Sequence, residues 1–148
     1  EELQKLRPNL KKFVTLSPVP GLRKWAEQSL LNGDALLSDT DKATLSELGE
    51  NDLPQDEFVT KLAARFLTQA KSASGTAADP VAHFHLGNGA TLLRVHPGAD
   101  HSPRGIDNSW GVMVNYLYDG ETIEQNHQAY ASNNDVSASP SVTALSKG

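Results

Sequence analysis

The run WGVMVNYLY at residues 110–118 constrains the fold more than any other stretch of the chain. Along this run two sets of residues alternate; they are Val112, Val114 and Tyr116, and Met113, Asn115 and Leu117. A period of two is typical of a β-strand, because successive side chains point to opposite faces of a sheet. The run is therefore predicted to form one long strand. The stretch ATLLRVH at residues 90–96 predicts a second strand, adjacent and antiparallel to the first.

Other patterns add one more strand and several helices. Residues 13–16, FVTL, predict a strand that ends near Ser17, because Pro18 restricts Ser17 to extended geometry and Pro20 ends the pairing. Spacing and capping signals predict helical segments in the ranges 1–6, 22–31, 38–49, 54–71, 80–86 and 121–131. The remaining ranges are predicted to be a flexible connector at 72–78, a long polar loop at 97–109 and a short ordered turn at 142–145. The predicted fold class is α/β (α+β), a layered sheet with helices.

The stretch DPVAHFHLGNGA at residues 79–90 predicts a short helix that carries two histidines. Asp79 suits the position before the helix, where a side-chain oxygen can accept from free backbone N–H groups. Spacings of three and four place three residues on one side of the helix: Val81, Phe84 and His85. The side chain of His83 is predicted to point to a different side of the helix.

Composition narrows the classes of function. The formal net charge is −5, from 13 Lys and Arg against 18 Asp and Glu, and there is no basic block, so nucleic acid is not an expected partner. Cysteine is absent, which excludes a disulfide scaffold and a thiol nucleophile. No apolar stretch has the length of a membrane helix and no signal-peptide pattern opens the chain, so we expect no membrane contact and a cytoplasmic location.

The residues that carry chemistry leave more than one interpretation open. A serine nucleophile at Ser17 is disfavoured, because no G-x-S-x-G motif surrounds it. A metal site is also disfavoured, because the two helical histidines are two positions apart and diverge. The set considered for metal is His83, His85, His96, Asp100 and His101. His85 is either a core histidine packed beside Phe84 or a proton donor that titrates near neutrality. Tyr116 and Tyr118 are interpreted as packing residues, and Asn115 as a ligand contact or a surface residue.

Four stretches of the chain resemble one known family. They are TLSPVPG (15–21), DPVAHFHLGNGA (79–90), GADHSPRGIDNSWGVMVNYLYD (98–119) and IEQNHQAY (123–130). They follow that family's order across nearly all of the chain. By these stretches the chain is similar to the carboxyl-terminal part of malonyl-CoA decarboxylases.

The resemblance implies a fold, a reaction and three site residues. The implied fold is a partial GNAT-like acyl-CoA-binding sheet with flanking helices and a helical insertion, in which the strand ending at Ser17 is the splayed central strand. The implied reaction converts malonyl-CoA and a proton to acetyl-CoA and carbon dioxide, with no metal or organic cofactor. Ser17 would orient the substrate carboxylate and His85, as an imidazolium, would protonate the α carbon. Tyr118 matches a family tyrosine that would make an orienting contact with the substrate.

The resemblance also implies that residues 1–148 are the carboxyl-terminal portion of a catalytic domain. A CoA-pyrophosphate loop and an amino-terminal helical domain would then lie upstream, and residues 1–6 would be the tail of the helix that receives the pyrophosphate. We expect the 148-residue chain alone to be inactive and poorly folded. We expect the full-length protein to be a homo-oligomer.

Two other functions stay open from the sequence. A GNAT-type acyltransferase would have the same fold, but it would move an acetyl group from acetyl-CoA to an amine. A non-catalytic CoA-binding or interaction module would keep His85 as a core residue.

Overall fold

Three strands form one sheet at the centre of the molecule. The structure is a computed structural model that describes residues 12–147. The strands are β1 (Lys12–Pro18), β2 (Thr91–His96) and β3 (Met113–Asp119). Their order is β1-β3-β2, and β3 is antiparallel to both neighbours. The predicted pairing of the last two strands is confirmed. The helical segment predicted at residues 1–6 lies outside the described residues.

The register of β1 against β3 decides which side chains share a face. Ser17 is opposite Val114 and Thr15 is opposite Tyr116. Directly opposed residues point to the same face of a sheet, so Thr15 and Ser17 share a face with Tyr116 and Tyr118. On β3 this face is buried and the other face is only half-buried, as the sequence alternation predicts.

Seven helices surround the sheet within residues 12–147. They are α1 (Leu22–Asn32), α2 (Asp39–Glu47), α3 (Asp56–Gln69), α4 (Pro80–Gly87), α5 (Pro103–Ser109), α6 (Ile123–Asn133) and α7 (Pro140–Lys147). Five of them confirm predicted helices, and the mixed α/β class is confirmed. None of the seven is long and apolar enough to cross a membrane.

Two predictions for connecting segments are wrong. The loop predicted at residues 97–109 contains α5, which begins because the Ser102 side chain accepts a hydrogen bond from the Gly105 N–H (3.0 Å). The turn predicted at 142–145 is part of α7, whose buried Val142 contributes to the core. The connector predicted at 72–78 does join α3 to α4, and it contains a turn in which the Ser72 N–H donates to the Thr76 carbonyl (2.8 Å); its flexibility stays a prediction.

Strand β1 lies at an edge of the sheet among the described residues. Its side chains Phe13, Val14 and Leu16 are about half exposed, at 57%, 49% and 55%. A further strand at this edge would make β1 central, so its predicted place as the splayed central strand stays a prediction.

Candidate active site

Three elements bring the predicted site residues into one chain of hydrogen bonds. Ser17 lies at the end of β1, His85 on α4 and Tyr118 near the end of β3. The Ser17 Oγ is 3.1 Å from His85 Nε2, and His85 Nδ1 is 2.5 Å from the Tyr118 hydroxyl. Each ring nitrogen of the histidine therefore has a hydroxyl partner, and the three residues named from the sequence lie together.

A buried aspartate holds α4 in this position. Asp79 is 1% exposed, and its Oδ2 accepts from the Ala82 N–H (3.0 Å) at the start of α4. Its Oδ1 accepts from the Gly21 N–H (2.9 Å), in the turn after β1. Burial raises the pKa of Asp79, while the hydrogen bonds from these two N–H groups lower it by a smaller amount. Asp79 therefore ties the helix that carries His85 to the strand end that carries Ser17.

The turn after β1 is tight at Gly21. A Cβ atom there would lie 3.1 Å from Asp79 Oδ1 and 3.3 Å from a ring carbon of Phe66. A larger residue would therefore require Asp79 or Phe66 to shift by a few tenths of an ångström. The pattern Pro20-Gly21 predicted the end of the strand, but it gave no sign of this close approach.

The His85 ring is packed against aromatic side chains. Tyr116 stacks on it, with ring centroids 4.3 Å apart and planes 21° apart. Phe84 approaches edge-on at 5.2 Å, but it is 63% exposed, so the prediction that it shares a buried face with His85 is wrong. The reason is the geometry of the helix: α4 buries Ala82 and Leu86 one turn apart, and Phe84 lies on the side away from them.

Burial changes the proton affinities of the site. Desolvation lowers the pKa of His85, so the neutral imidazole is its main form at neutral pH. Desolvation raises the pKa of Tyr118, so this hydroxyl keeps its proton. A hydroxyl can donate or accept, so both partners of His85 can bond to either its neutral or its protonated form.

Thr15 extends the chain of hydrogen bonds to a fourth residue. Its Oγ1 is 3.2 Å from the Ser17 Oγ. Thr15 was not predicted as a site residue from the sequence. The signal was present, since residues two positions apart on a strand point to the same face.

Two further histidines of the metal set, His83 and His96, and Asn115 have separate roles. His83 Nδ1 is 2.8 Å from the Tyr130 hydroxyl, and His96 Nε2 is 2.5 Å from Asn115 Oδ1. Asn115 also donates from Nδ2 to the Thr15 carbonyl (3.1 Å), so its side chain fixes β1 to β3. In the part of the chain that the structure describes, no group of three or more His, Asp or Glu side chains is arranged to hold a metal ion.

The fold and the site together define a class: a mixed α/β domain in which a serine, a histidine and a tyrosine share one hydrogen-bonded chain beside an open sheet edge. The family model of the malonyl-CoA decarboxylase C-terminal domain matches residues 1–148. The chain therefore belongs to the malonyl-CoA decarboxylase family, as its resemblance implied.

Individual relatives agree with this membership. The mitochondrial malonyl-CoA decarboxylase of Anser anser anser is 34% identical, over 98% of this chain and 34% of its own length. The mitochondrial malonyl-CoA decarboxylase of Mus musculus is 33% identical, over 98% of this chain and 35% of its own length. The crystal structure of malonyl-CoA decarboxylase from Agrobacterium vitis matches with a TM-score of 0.83 at 41% identity, covering 97% of this chain and 38% of that one. The crystal structure of malonyl-CoA decarboxylase from Rhodopseudomonas palustris matches with a TM-score of 0.82 at 40% identity, covering 97% of this chain and 35% of that one. The chain thus spans about a third of the length of these relatives.

Proposed function

We propose that this chain carries the decarboxylation site of a malonyl-CoA decarboxylase, with Ser17, His85 and Tyr118 as its working residues. The observation that carries the proposal is the hydrogen-bonded chain from Ser17 through His85 to Tyr118, at 3.1 Å and 2.5 Å. Family membership supports the same reaction, whose overall balance is malonyl-CoA plus a proton giving acetyl-CoA plus carbon dioxide.

Ser17 orients the carboxylate in this proposal. When His85 Nε2 carries a proton and donates to the Ser17 Oγ, the Ser17 hydroxyl is free to donate to a carboxylate oxygen. That bond holds the carboxylate out of the thioester plane, so the electron pair of the breaking C–C bond can pass into the thioester as an enolate. Carbon dioxide leaves, and the negative charge moves to the enolate.

His85 then supplies the proton to the α carbon. Its pKa is lowered before substrate binds, but a bound carboxylate beside it favours the charged imidazolium. Substrate binding therefore takes up a proton, and the expected imidazolium forms in the complex rather than in the free protein. In the imidazolium both ring nitrogens donate, Nε2 to Ser17 and Nδ1 to Tyr118. The proton that passes to the α carbon is that of Nε2, whose bond to Ser17 breaks in this step, while Nδ1 keeps its proton and its bond to Tyr118. After transfer to carbon, solvent restores the proton.

Tyr118 acts on the histidine. Its hydroxyl bonds to Nδ1 and its raised pKa keeps it neutral, so it fixes the ring orientation without adding a negative charge. We infer this role from the contact with His85, in place of the direct substrate contact expected from the sequence.

Several wider properties are part of the same proposal. The sheet order with β3 between β1 and β2, and the helix α4 just before β2, support a GNAT-like arrangement. The place of this chain as the carboxyl-terminal portion of a catalytic domain, the cytoplasmic location and the homo-oligomer stay predictions. Fractionation of cells and light scattering of the complete gene product test the last two.

The test of the function is incubation of the complete gene product with malonyl-CoA and no acyl acceptor, with products followed by mass spectrometry. We expect acetyl-CoA and carbon dioxide in equal amounts. A parallel reaction contains acetyl-CoA and an amine. If acyl transfer occurs in this second reaction and no malonyl-CoA is lost in the first, the protein is an acyltransferase and not a decarboxylase. Binding of both thioesters without turnover would favour the non-catalytic module.

A further inference from the structure

Two hydroxyl groups, not one, face the site from β1. Thr15 and Ser17 are two positions apart on one face of the strand, with their Oγ atoms 3.2 Å apart. Ser17 is 6% exposed, whereas Thr15 is half-buried and nearer to solvent. Of these two hydroxyls, only that of Ser17 bonds to His85.

We propose that Thr15 and Ser17 together bind the carboxylate of the substrate, one hydroxyl to each oxygen. The proposal rests on the decarboxylase function and names a binding residue for it. In the resting protein, the Ser17 hydroxyl can donate its hydrogen bond to Thr15 Oγ1. An arriving carboxylate replaces this weak neutral bond by two bonds to a charged acceptor, which are shorter and stronger.

The geometry gives the two hydroxyls different roles. Ser17 is tied to His85 and so fixes where the carboxylate lies relative to the proton donor. Thr15 has no such tie to His85 among the described contacts, and it adds affinity for the carboxylate. The carboxylate loses its charge in the transition state as the electron pair moves to the enolate. A bond from Thr15 is therefore as strong in the ground state as in the transition state, or stronger, and it lowers KM without raising kcat.

The test is the kinetics of Thr15→Val and Thr15→Ser in the complete gene product. Thr15→Val keeps the shape and the strand preference of the side chain and removes the hydroxyl. We expect it to raise KM for malonyl-CoA about tenfold, the effect of one lost bond to a charged group, with kcat within about threefold. Thr15→Ser restores the hydroxyl, and we expect its KM to be close to that of the unchanged protein.

Inhibition by acetyl-CoA separates carboxylate binding from a structural effect. Acetyl-CoA has no carboxylate, so its inhibition constant is expected to be unchanged by Thr15→Val. The matched control is Thr91→Val, a half-buried strand threonine whose hydroxyl bonds to Ser137 (2.7 Å) and Asn126 (3.1 Å), and to no site residue among the described contacts. It should leave both constants unchanged.

Three results would overturn the role of Thr15: an unchanged KM, an equal weakening of both thioesters, or a loss in kcat alone. If the unchanged protein binds malonyl-CoA without decarboxylating it, the function fails while the binding residue is still testable. Calorimetry of the two thioesters then decides: Thr15→Val must weaken malonyl-CoA but not acetyl-CoA.

Discussion

Helices α3 and α4 both pack close to the sheet, but different interactions hold them in place. Helix α3 has no side-chain cap and is held by a buried apolar face: Val59, Leu62, Ala63, Ala64, Phe66 and Leu67. Helix α4 buries only Ala82 and Leu86, and it is held by the hydrogen bonds of Asp79 and His85. Apolar burial stabilises the fold without fixing any one contact, whereas directional bonds fix a geometry. The molecule therefore uses α3 for stability and α4 for the placement of a reacting group.

The largest change in stability is expected from the apolar helix. Phe66 is 1% exposed and packs against Trp25, with ring centroids 5.0 Å apart. Phe66→Ala should lower the free energy of unfolding by about 3–5 kcal/mol, because it removes buried surface and leaves a cavity. Denaturant titration measures this. Activity per folded molecule should be nearly unchanged, and a large loss in kcat with a small loss in stability would mean that α3 also places a reacting group.

A smaller loss of stability, with a larger loss of activity, is expected from the polar helix. Asp79→Ala leaves the N–H groups of Gly21 and Ala82 without their acceptor, which should cost about 2 kcal/mol. The same change frees α4 from the turn after β1, so kcat should fall for molecules that are still folded. Asp79→Asn keeps an acceptor oxygen and should be milder in both measurements. Full activity in Asp79→Ala would show that α4 does not depend on this anchor.

The pH dependence of turnover tests which protonation state of His85, on α4, reacts. The pKa of His85 is lowered in the free protein, and the bound carboxylate raises it in the complex. Because the imidazolium is the reacting form, both kcat/KM and kcat should fall as pH rises. The fall in kcat/KM reports the free protein and should come at lower pH than the fall in kcat. Steady-state kinetics over a pH series measures both. Rates that rise with pH through this range would mean that neutral His85 is the reacting form.

The smallest effect is expected from the tyrosine beneath His85. The hydroxyl of Tyr116 is buried, and it has no hydrogen-bond partner within residues 12–147. Tyr116→Phe keeps the ring that stacks on His85 and removes the unpaired hydroxyl, so it should stabilise the protein by up to about 1 kcal/mol. Thermal unfolding measures the gain, and kcat should stay within about twofold. Tyr118→Phe is the matched contrast, because its hydroxyl is bonded to His85. A tenfold loss in Tyr116→Phe would reveal a partner for its hydroxyl during turnover.

The difference between the two helices also explains how far the sequence could predict the structure. Helix α3 was predictable because its apolar residues recur at helical spacing. Helix α4 was predictable as a helix from Asp79 and Pro80, but the exposure of Phe84 was not, since local spacing does not tell which side meets the sheet. Helix α5 was missed because its seven residues include one large apolar side chain, Ile106, and so show no apolar period, although Ser102 and Pro103 mark its start.

The site was predictable only in part. Ser17, His85 and Tyr118 were named from the resemblance, whereas spacing alone left His85 between packing and chemistry. Their contacts depend on the pairing of β1 with β3, residues about 100 positions apart, which local patterns do not determine. The link from Asp79 to Gly21 and the second hydroxyl at Thr15 depend on the same pairing and became visible only in the structure.

We propose His85 as the donor of the proton that completes decarboxylation. The most direct measurement compares kcat for malonyl-CoA in His85→Ala and in His127→Ala, an exposed histidine that bonds only to the Gly87 carbonyl among the described residues. Both variants are first checked for native circular dichroism. We predict a loss of about a thousandfold for His85→Ala, the size typical of a lost general acid, and less than about twofold for His127→Ala. A folded His85→Ala protein that still forms acetyl-CoA at the normal rate would contradict this role.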